Sequence, residues 1–168
     1  MDFGRGRLAE LTFYAKLTQD MKLLDEALDA VVTRLQCLIS REGIDAIAIT
    51  PWSIDRRNQL LALLWKRLKP LGIPQIPLIK YYGSGIAIPQ KSLKTRAERI
   101  QNARKTIFVD STRDLPEYKK ILLIDDFVGS GATLYETASK LAELSPVEII
   151  GFAWVGNMNL SYEVISEM

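Results

Sequence analysis

Residues 119 to 134 read KKILLIDDFVGSGATL, and the groups most able to do chemistry are concentrated there. Two adjacent carboxylates, Asp125 and Asp126, end an apolar run, and Gly129, Ser130 and Gly131 follow almost at once. Neighbouring ionised side chains repel, and each is costly to desolvate unless something pairs with it. The acids are therefore expected to hold a ligand. Downstream, Gly129, Ser130, Gly131, Ala132 and Thr133 form a small-residue turn into a helix N-terminus, whose orphan N–H groups and positive dipole end favour a phosphate. The turn is not a Walker A loop, because no lysine follows the glycines and the paired acids precede them. Nor is it a GxGxxG fingerprint, since the spacing after Gly131 fails. Carboxylates beside a phosphate cradle would repel that phosphate, so they must address another part of the ligand. Sugar hydroxyls, which donate hydrogen bonds to carboxylates, meet that requirement.

Composition narrows the chemistry further. With 168 residues, 48% of them hydrophobic, the chain is expected to form a single domain with a proper core. It has no histidine, which removes Ser/His and Cys/His nucleophiles and histidine-based metal sites. The lone cysteine, Cys37, falls in an apolar-periodic segment and is expected to be a small buried hydrophobe. No apolar run reaches the roughly 18 residues of a membrane helix, and the N-terminus lacks a signal-peptide core, so a soluble cytoplasmic protein is expected. Charge is uneven. Residues 56 to 105 carry twelve bases against one acid, Glu98, whereas the remainder has ten bases and nineteen acids. For any one residue a solvated face is an equal account, but the asymmetry as a whole points to a polyanionic ligand or partner.

The elements that must position these residues alternate. Leu24, Leu28, Val31, Leu35 and Leu38 describe an amphipathic helix over residues 20 to 40, and residues 44 to 50 read as a strand stopping at Pro51. Leu60, Leu64 and Leu68 place a helix at 57 to 69, ahead of Gly72 and Pro74. Short strands are expected at 76 to 79 and 106 to 109, separated by a polar, basic stretch that reads as mobile. Ile121 to Ile124 is a continuous apolar run, the mark of a strand covered on both faces. Leu134, Ala138 and Leu141 give the next helix, followed by a strand at 147 to 155 and a short one at 162 to 165. This order predicts an α/β domain, three layers deep (α/β/α), with a mainly parallel central sheet. In such sheets ligands bind beyond the carboxyl ends of the strands, which is where Asp125 and Asp126 fall.

The run from Ile121 to Thr133 resembles the phosphoribosyl pyrophosphate (PRPP) signature of type I phosphoribosyltransferases: an apolar strand, two acids, two variable residues, then a small loop ending Gly-Ala-Thr. Gly129 stands where threonine is commoner. Further segments are similar to the ComF-like branch of that family: Asn58-Gln59 ahead of Gly72-Ile73-Pro74, and Gln90, Leu93, Glu98, Arg99, Asn102 and Phe108. Tyr14 and Lys16 are a fainter echo. The branch usually carries a histidine after the first core strand, where this chain has Thr50-Pro51-Trp52-Ser53.

The resemblance implies a single phosphoribosyltransferase-like domain, with a core of about residues 20 to 155 and hood or tail elements at 1 to 19 and 154 to 168. It implies that Asp125 and Asp126 are the catalytic acids on the ribose hydroxyls, and that Phe127, Val128, Gly129, Ser130, Gly131, Ala132 and Thr133 wrap the 5′-phosphate. Mg²⁺ is the implied cofactor, bridging ligand oxygens and met by Asp125 and Asp126 directly or through water. Arg56 and Arg57, after the first core strand, and Lys91, Lys94, Arg96 and Arg99, in the stretch similar to the family's mobile loop, are the pyrophosphate candidates. Trp154 is placed either to stack on a base or to fill the core. The expected activity transfers phosphoribosyl from PRPP to a nitrogenous base or amine with release of pyrophosphate. Two other readings stay open: a PRPP-sensing regulator without turnover, and an accessory to nucleic-acid handling through the basic face. No membrane partner is expected, and a homodimer is allowed.

Overall fold

The structure is a computed structural model that describes residues 3–83, 88, 92–110, 112, 115–144 and 147–156. Its elements are helix α1 (Phe3–Thr18), α2 (Met21–Glu42), strand β1 (Ala46–Ile49), α3 (Leu60–Leu68), β2 (Gln75–Ile76), β3 (Leu78–Lys80), α4 (Arg96–Thr106), β4 (Ile107–Val109), β5 (Lys120–Val128), α5 (Ala132–Ala142) and β6 (Glu148–Gly156).

Four strands form a parallel sheet in the order β2-β1-β5-β6. β1 and β5 lie in the middle and are apolar on both faces, as strands covered from two sides must be. On one face Ile47, Ile49, Leu122 and Ile124 pack with Leu24, Leu28, Val31 and Leu35 of α2 and with Leu60, Leu64 and Leu68 of α3. On the other, Ala46, Ala48, Ile121 and Leu123 meet Leu134, Ala138 and Leu141 of α5. This is the expected three-layer arrangement with a mainly parallel central sheet. α2 follows from its apolar stripe and its caps: Asp20 accepts the Lys22 amide at 2.8 Å, and Gly43 closes the helix at φ 64°. Asp45 accepts the amides of Lys119 and Lys120 at 2.9 and 3.0 Å, which sets β5 against β1.

Several expectations need correction. The strand expected at 76 to 79 splits at Pro77, which has no N–H to give a ladder. β2 stays with the main sheet, while β3 pairs antiparallel with β4 as a separate ribbon, Ile79 opposite Phe108 and Lys80 opposite Ile107. α3 begins at Leu60 rather than 57, because Asn58 is drawn out of helical geometry by hydrogen bonds to Gln19. Cys37 is exposed, since the buried stripe of α2 passes through Leu35 and Ile39 instead. Two helices were not expected. α1 carries an interrupted apolar pattern, with Phe13, Tyr14 and Leu17 exposed and Thr12 and Ala15 buried. α4 occupies the basic stretch that reads as mobile; Thr95 accepts the Glu98 amide while Glu98 accepts the Thr95 amide, a capping box that starts a helix on a segment with almost no apolar stripe. The short strand expected at 162 to 165 lies outside the described residues. Among the described residues no helix is long and apolar enough to cross a membrane.

Candidate functional site

Beyond the carboxyl ends of β1 and β5 lies a cleft of about 700 Å³, walled by α1, the loop after β1, Lys80 of β3 and the turn into α5. Asp125 and Asp126 both line it, but they do not form one carboxylate pair. Strand pleating sends alternate side chains to opposite faces. Asp126 points to the side of Leu122 and Ile124, towards α1, and is only 8% exposed. There it accepts the ammonium of Lys16. Asp125 points to the side of Ile121 and Leu123, where the Thr50 hydroxyl donates to it; its Oδ1 also accepts the Asp126 amide at 2.8 Å. Burial, reinforced by the charge of Asp126, raises the Asp125 carboxyl to about 6, against the opposing pull of Thr50, the amide and Lys16.

Lys80 faces the same side of the cleft. Its Nζ donates to Ser53 Oγ at 2.6 Å, and burial lowers its pKa while the charge of Asp125 opposes the shift. Thus one acid is matched by Lys16 across the sheet and the other shares its neighbourhood with Lys80.

The turn after β5 supplies the second half of the site. Gly131 sits at φ 73°, a left-handed conformation that favours glycine, and caps α5. A glycine cap brings no side-chain oxygen to the first turn of the helix, where the positive end of the helix dipole lies. That leaves an anion cradle next to the acids. Phe127 projects into the cleft and is half exposed, whereas Val128 is buried. A Cβ on Gly129 would lie 3.3 Å from the Phe127 ring, so a bulkier residue such as threonine would press on this aromatic.

The structure sorts the cation candidates. Arg56 and Arg99 line the cleft. Arg56 Nη1 donates to the Lys16 carbonyl at 3.1 Å, and Arg99 donates Nε and Nη2 to the Leu93 carbonyl at 3.1 and 3.0 Å. Arg57, Lys94 and Arg96 are exposed and stand outside the lining; Lys91 lies outside the described residues. Trp154 is likewise not at the cleft. It shares a face of β6 with Ile150 and Phe152, packs on the α2 side of the core and donates Nε1 to Thr12 at 3.1 Å; its neighbour Val155 reaches the cleft instead. Thr50 and Ser53 bear on the site through the loop that lacks the histidine. Lys80 was only one base among twelve in the sequence. Lys16 was only a faint echo in the sequence, and nothing near it disclosed its partner, which is 110 positions away.

The donor set also bears on a metal. Among the described residues no group of three or more acids or cysteines converges on one point. Asp125 and Asp126 diverge, so they cannot chelate an ion between them. This does not suit a protein-built cage, but it fits Mg²⁺ carried mainly by ligand oxygens and water, with one carboxylate in attendance.

A mainly parallel sheet with helices on both faces is the fold found in phosphoribosyltransferases of known structure. An adenine phosphoribosyltransferase superposes with a TM-score of 0.54 at 15% identity, over 84% of this chain and 74% of that one. The adenine phosphoribosyltransferase of Saccharomyces cerevisiae, complexed with D-2,5-dideoxy-2,5-imino-altritol 1,6-bisphosphate and adenine, gives 0.51 at 12% identity, over 83% and 72%. Neither a family model nor a curated protein sequence matches the chain.

Proposed function

We propose that the chain binds Mg·PRPP and transfers its phosphoribosyl group to a nitrogenous base or amine. The observation that carries this reading is the layout of the cleft: two acids at the end of β5, an anion cradle at α5 beside them, and Lys80, Arg56 and Arg99 around the same space. A sugar bearing phosphate at one end and pyrophosphate at the other matches that sequence of charges. The bisphosphate and adenine in the yeast structure, on the same fold, support it.

In the reaction the bond from the anomeric carbon to pyrophosphate breaks, and its electron pair leaves with the pyrophosphate. The acceptor nitrogen supplies the pair for the new C–N bond and loses its proton to solvent. Positive charge grows on the sugar ring meanwhile, so catalysis amounts to electrostatic placement. Asp125 and Asp126 accept the ribose hydroxyls and steady the ring. The amides of Ala132 and Thr133 hold the 5′-phosphate. Lys80, Arg56 and Arg99 receive the charge of the departing pyrophosphate. Mg²⁺, when bound with the ligand, neutralises pyrophosphate oxygens. No protein nucleophile is required, which suits a chain without histidine.

The ComF-like resemblance rests on sequence, on Asn58-Gln59, Gly72-Ile73-Pro74, Gln90, Leu93, Glu98, Arg99, Asn102 and Phe108, of which Gln90 lies outside the described residues. Pyrophosphate release from Mg·PRPP, measured against a panel of bases and amines, tests the activity. Release that depends on one acceptor supports a transferase. Tight PRPP binding with no release under any acceptor supports a sensor instead.

A further inference from the structure

Lys16 holds both halves of the ligand site at once. Its ammonium is on Asp126, an acid assigned to the ribose. Its backbone carbonyl accepts Arg56, a base assigned to the pyrophosphate, at 3.1 Å. The same carbonyl accepts Gln19 Nε2 at 2.9 Å, and Gln19 in turn takes the Asn58 amide on Oε1 at 2.8 Å and the Asn58 side chain on its carbonyl at 3.2 Å. The end of α1 is thereby fastened to the loop after β1 through groups that a sugar phosphate would claim. We propose that Lys16 is a positioning residue that acts as an internal placeholder, which the ligand must displace. Displacement also releases the α1 wall, whose Ala9, Thr12 and Phe13 line the same cleft, so occupancy of the sugar site sets the shape offered to the acceptor.

The physical basis is competition for one carboxylate. Asp126 is nearly buried, and an acid in that position needs a partner. With the cleft empty, the Lys16 ammonium fills that role; with ligand bound, ribose hydroxyls do. An apparent affinity is reduced by the fraction of molecules in which the site is already taken. Lys16 therefore differs in sign from the other cleft cations. Lys80 and Arg99 would attract the ligand, and their loss would weaken binding. Loss of Lys16 removes a competitor.

This inference rests on the reading of the cleft as a Mg·PRPP site, and one calorimetric series separates the two. Mg·PRPP is titrated into the wild-type chain, Lys16→Met, Lys80→Met and Arg99→Met. The expected result is binding about tenfold tighter in Lys16→Met, a gain of the order of one charge-assisted hydrogen bond that no longer has to be broken, and weaker binding in the other two. Amide exchange over residues 12 to 19 gives a second readout. Mg·PRPP should raise it in the wild-type chain, and Lys16→Met should show the raised level without ligand. Unchanged or weaker binding by Lys16→Met would overturn the placeholder role and make Lys16 an ordinary ligand contact or a bystander. If the wild-type chain takes up no Mg·PRPP at all, the site reading itself fails. The Lys16–Asp126 pair would then still be visible as coupling in a double-mutant cycle of stability with Lys16→Met and Asp126→Asn.

Discussion

Asp125 and Asp126, neighbours in the chain, address opposite faces of the sheet: Asp125 takes the Thr50 hydroxyl beside Lys80, and Asp126 takes the ammonium of Lys16. They are held apart by the pleat of β5, and their electrostatic situations differ accordingly.

Asp125 should show this difference through pH. Its carboxyl is raised to about 6 in the folded chain, above its value when unfolded. The folded state therefore binds the proton more tightly, and the destabilisation from ionised Asp125 is present above pH 6 and relieved as pH falls towards about 4. Asp125→Asn should accordingly be more stable than the wild-type chain at pH 7, with the gap closing by pH 4 in denaturant titrations. Mg·PRPP binding should move the other way in the wild-type chain, weakening as pH drops through 6, because a protonated Asp125 loses an acceptor for the ribose. An Asp125→Asn variant that binds with full affinity at pH 7.5 would remove this acid from the site.

Gly131→Ala should cost about 1 kcal/mol of stability, the usual penalty for a β-carbon in a left-handed conformation. Because that conformation aims the first amides of α5, PRPP affinity should fall together with stability. Gly129→Ala, which brings a β-carbon only against the Phe127 ring, should affect binding less. Equal effects from the two would mean that the turn does not act as an anion cradle.

The cations outside the cleft provide a test of what the basic segment is for. If its bases serve a compact pyrophosphate, Lys80→Met and Arg99→Met should weaken Mg·PRPP binding far more than Lys66→Met or Lys69→Met, both of which are exposed and away from the lining. Were the segment a nucleic-acid footprint, each base would count nearly alike in oligonucleotide binding, with about one unit of salt slope lost per base. Uniform small losses across all four, shared between PRPP and DNA, would favour the second case.

Arg104 of α4 reaches Glu136 of α5 through Nε and Nη2 at 2.9 and 3.1 Å, and Glu136 is only 3% exposed. Arg104→Met should lower the melting temperature by leaving a buried acid unpaired, and adding Glu136→Gln should restore much of the loss. A double variant as unstable as Arg104→Met would show that packing at Arg104, rather than the stranded charge, accounts for the effect.

The parts of this architecture that the sequence discloses are those with a local signature. The apolar run of β5 and the glycines after it announce a buried strand, a turn and a helix start within thirteen positions. α2 declares itself through a regular stripe and two caps. α4 has no such stripe, burying only Ala103 and Thr106, so periodicity misses it. The Thr95–Glu98 capping box was the available signal. α1 fails for the opposite reason, since it carries many apolar residues and leaves several outside. Within the site, the acids and the turn are legible because they are contiguous. Lys16, Thr50 and Lys80 arrive from three other elements, and nothing near them in the chain records which carboxylate they will meet. The divergence of the two acids was in principle readable from the period of two along a strand, but adjacency in sequence suggested a shared target.

Among the described residues the β3–β4 ribbon joins no other strand, although it carries Lys80. The acids and the α5 turn, by contrast, belong to the four-stranded sheet. The cleft is thus assembled from two separate hydrogen-bonding systems. In a graded denaturant experiment the ribbon amides should exchange through smaller openings than those of β5. There would then be an interval of denaturant in which the chain keeps the α5 turn and both carboxylates yet has lost its grip on Lys80: under the proposed function, a half-site able to retain a sugar phosphate but not to discharge its leaving group.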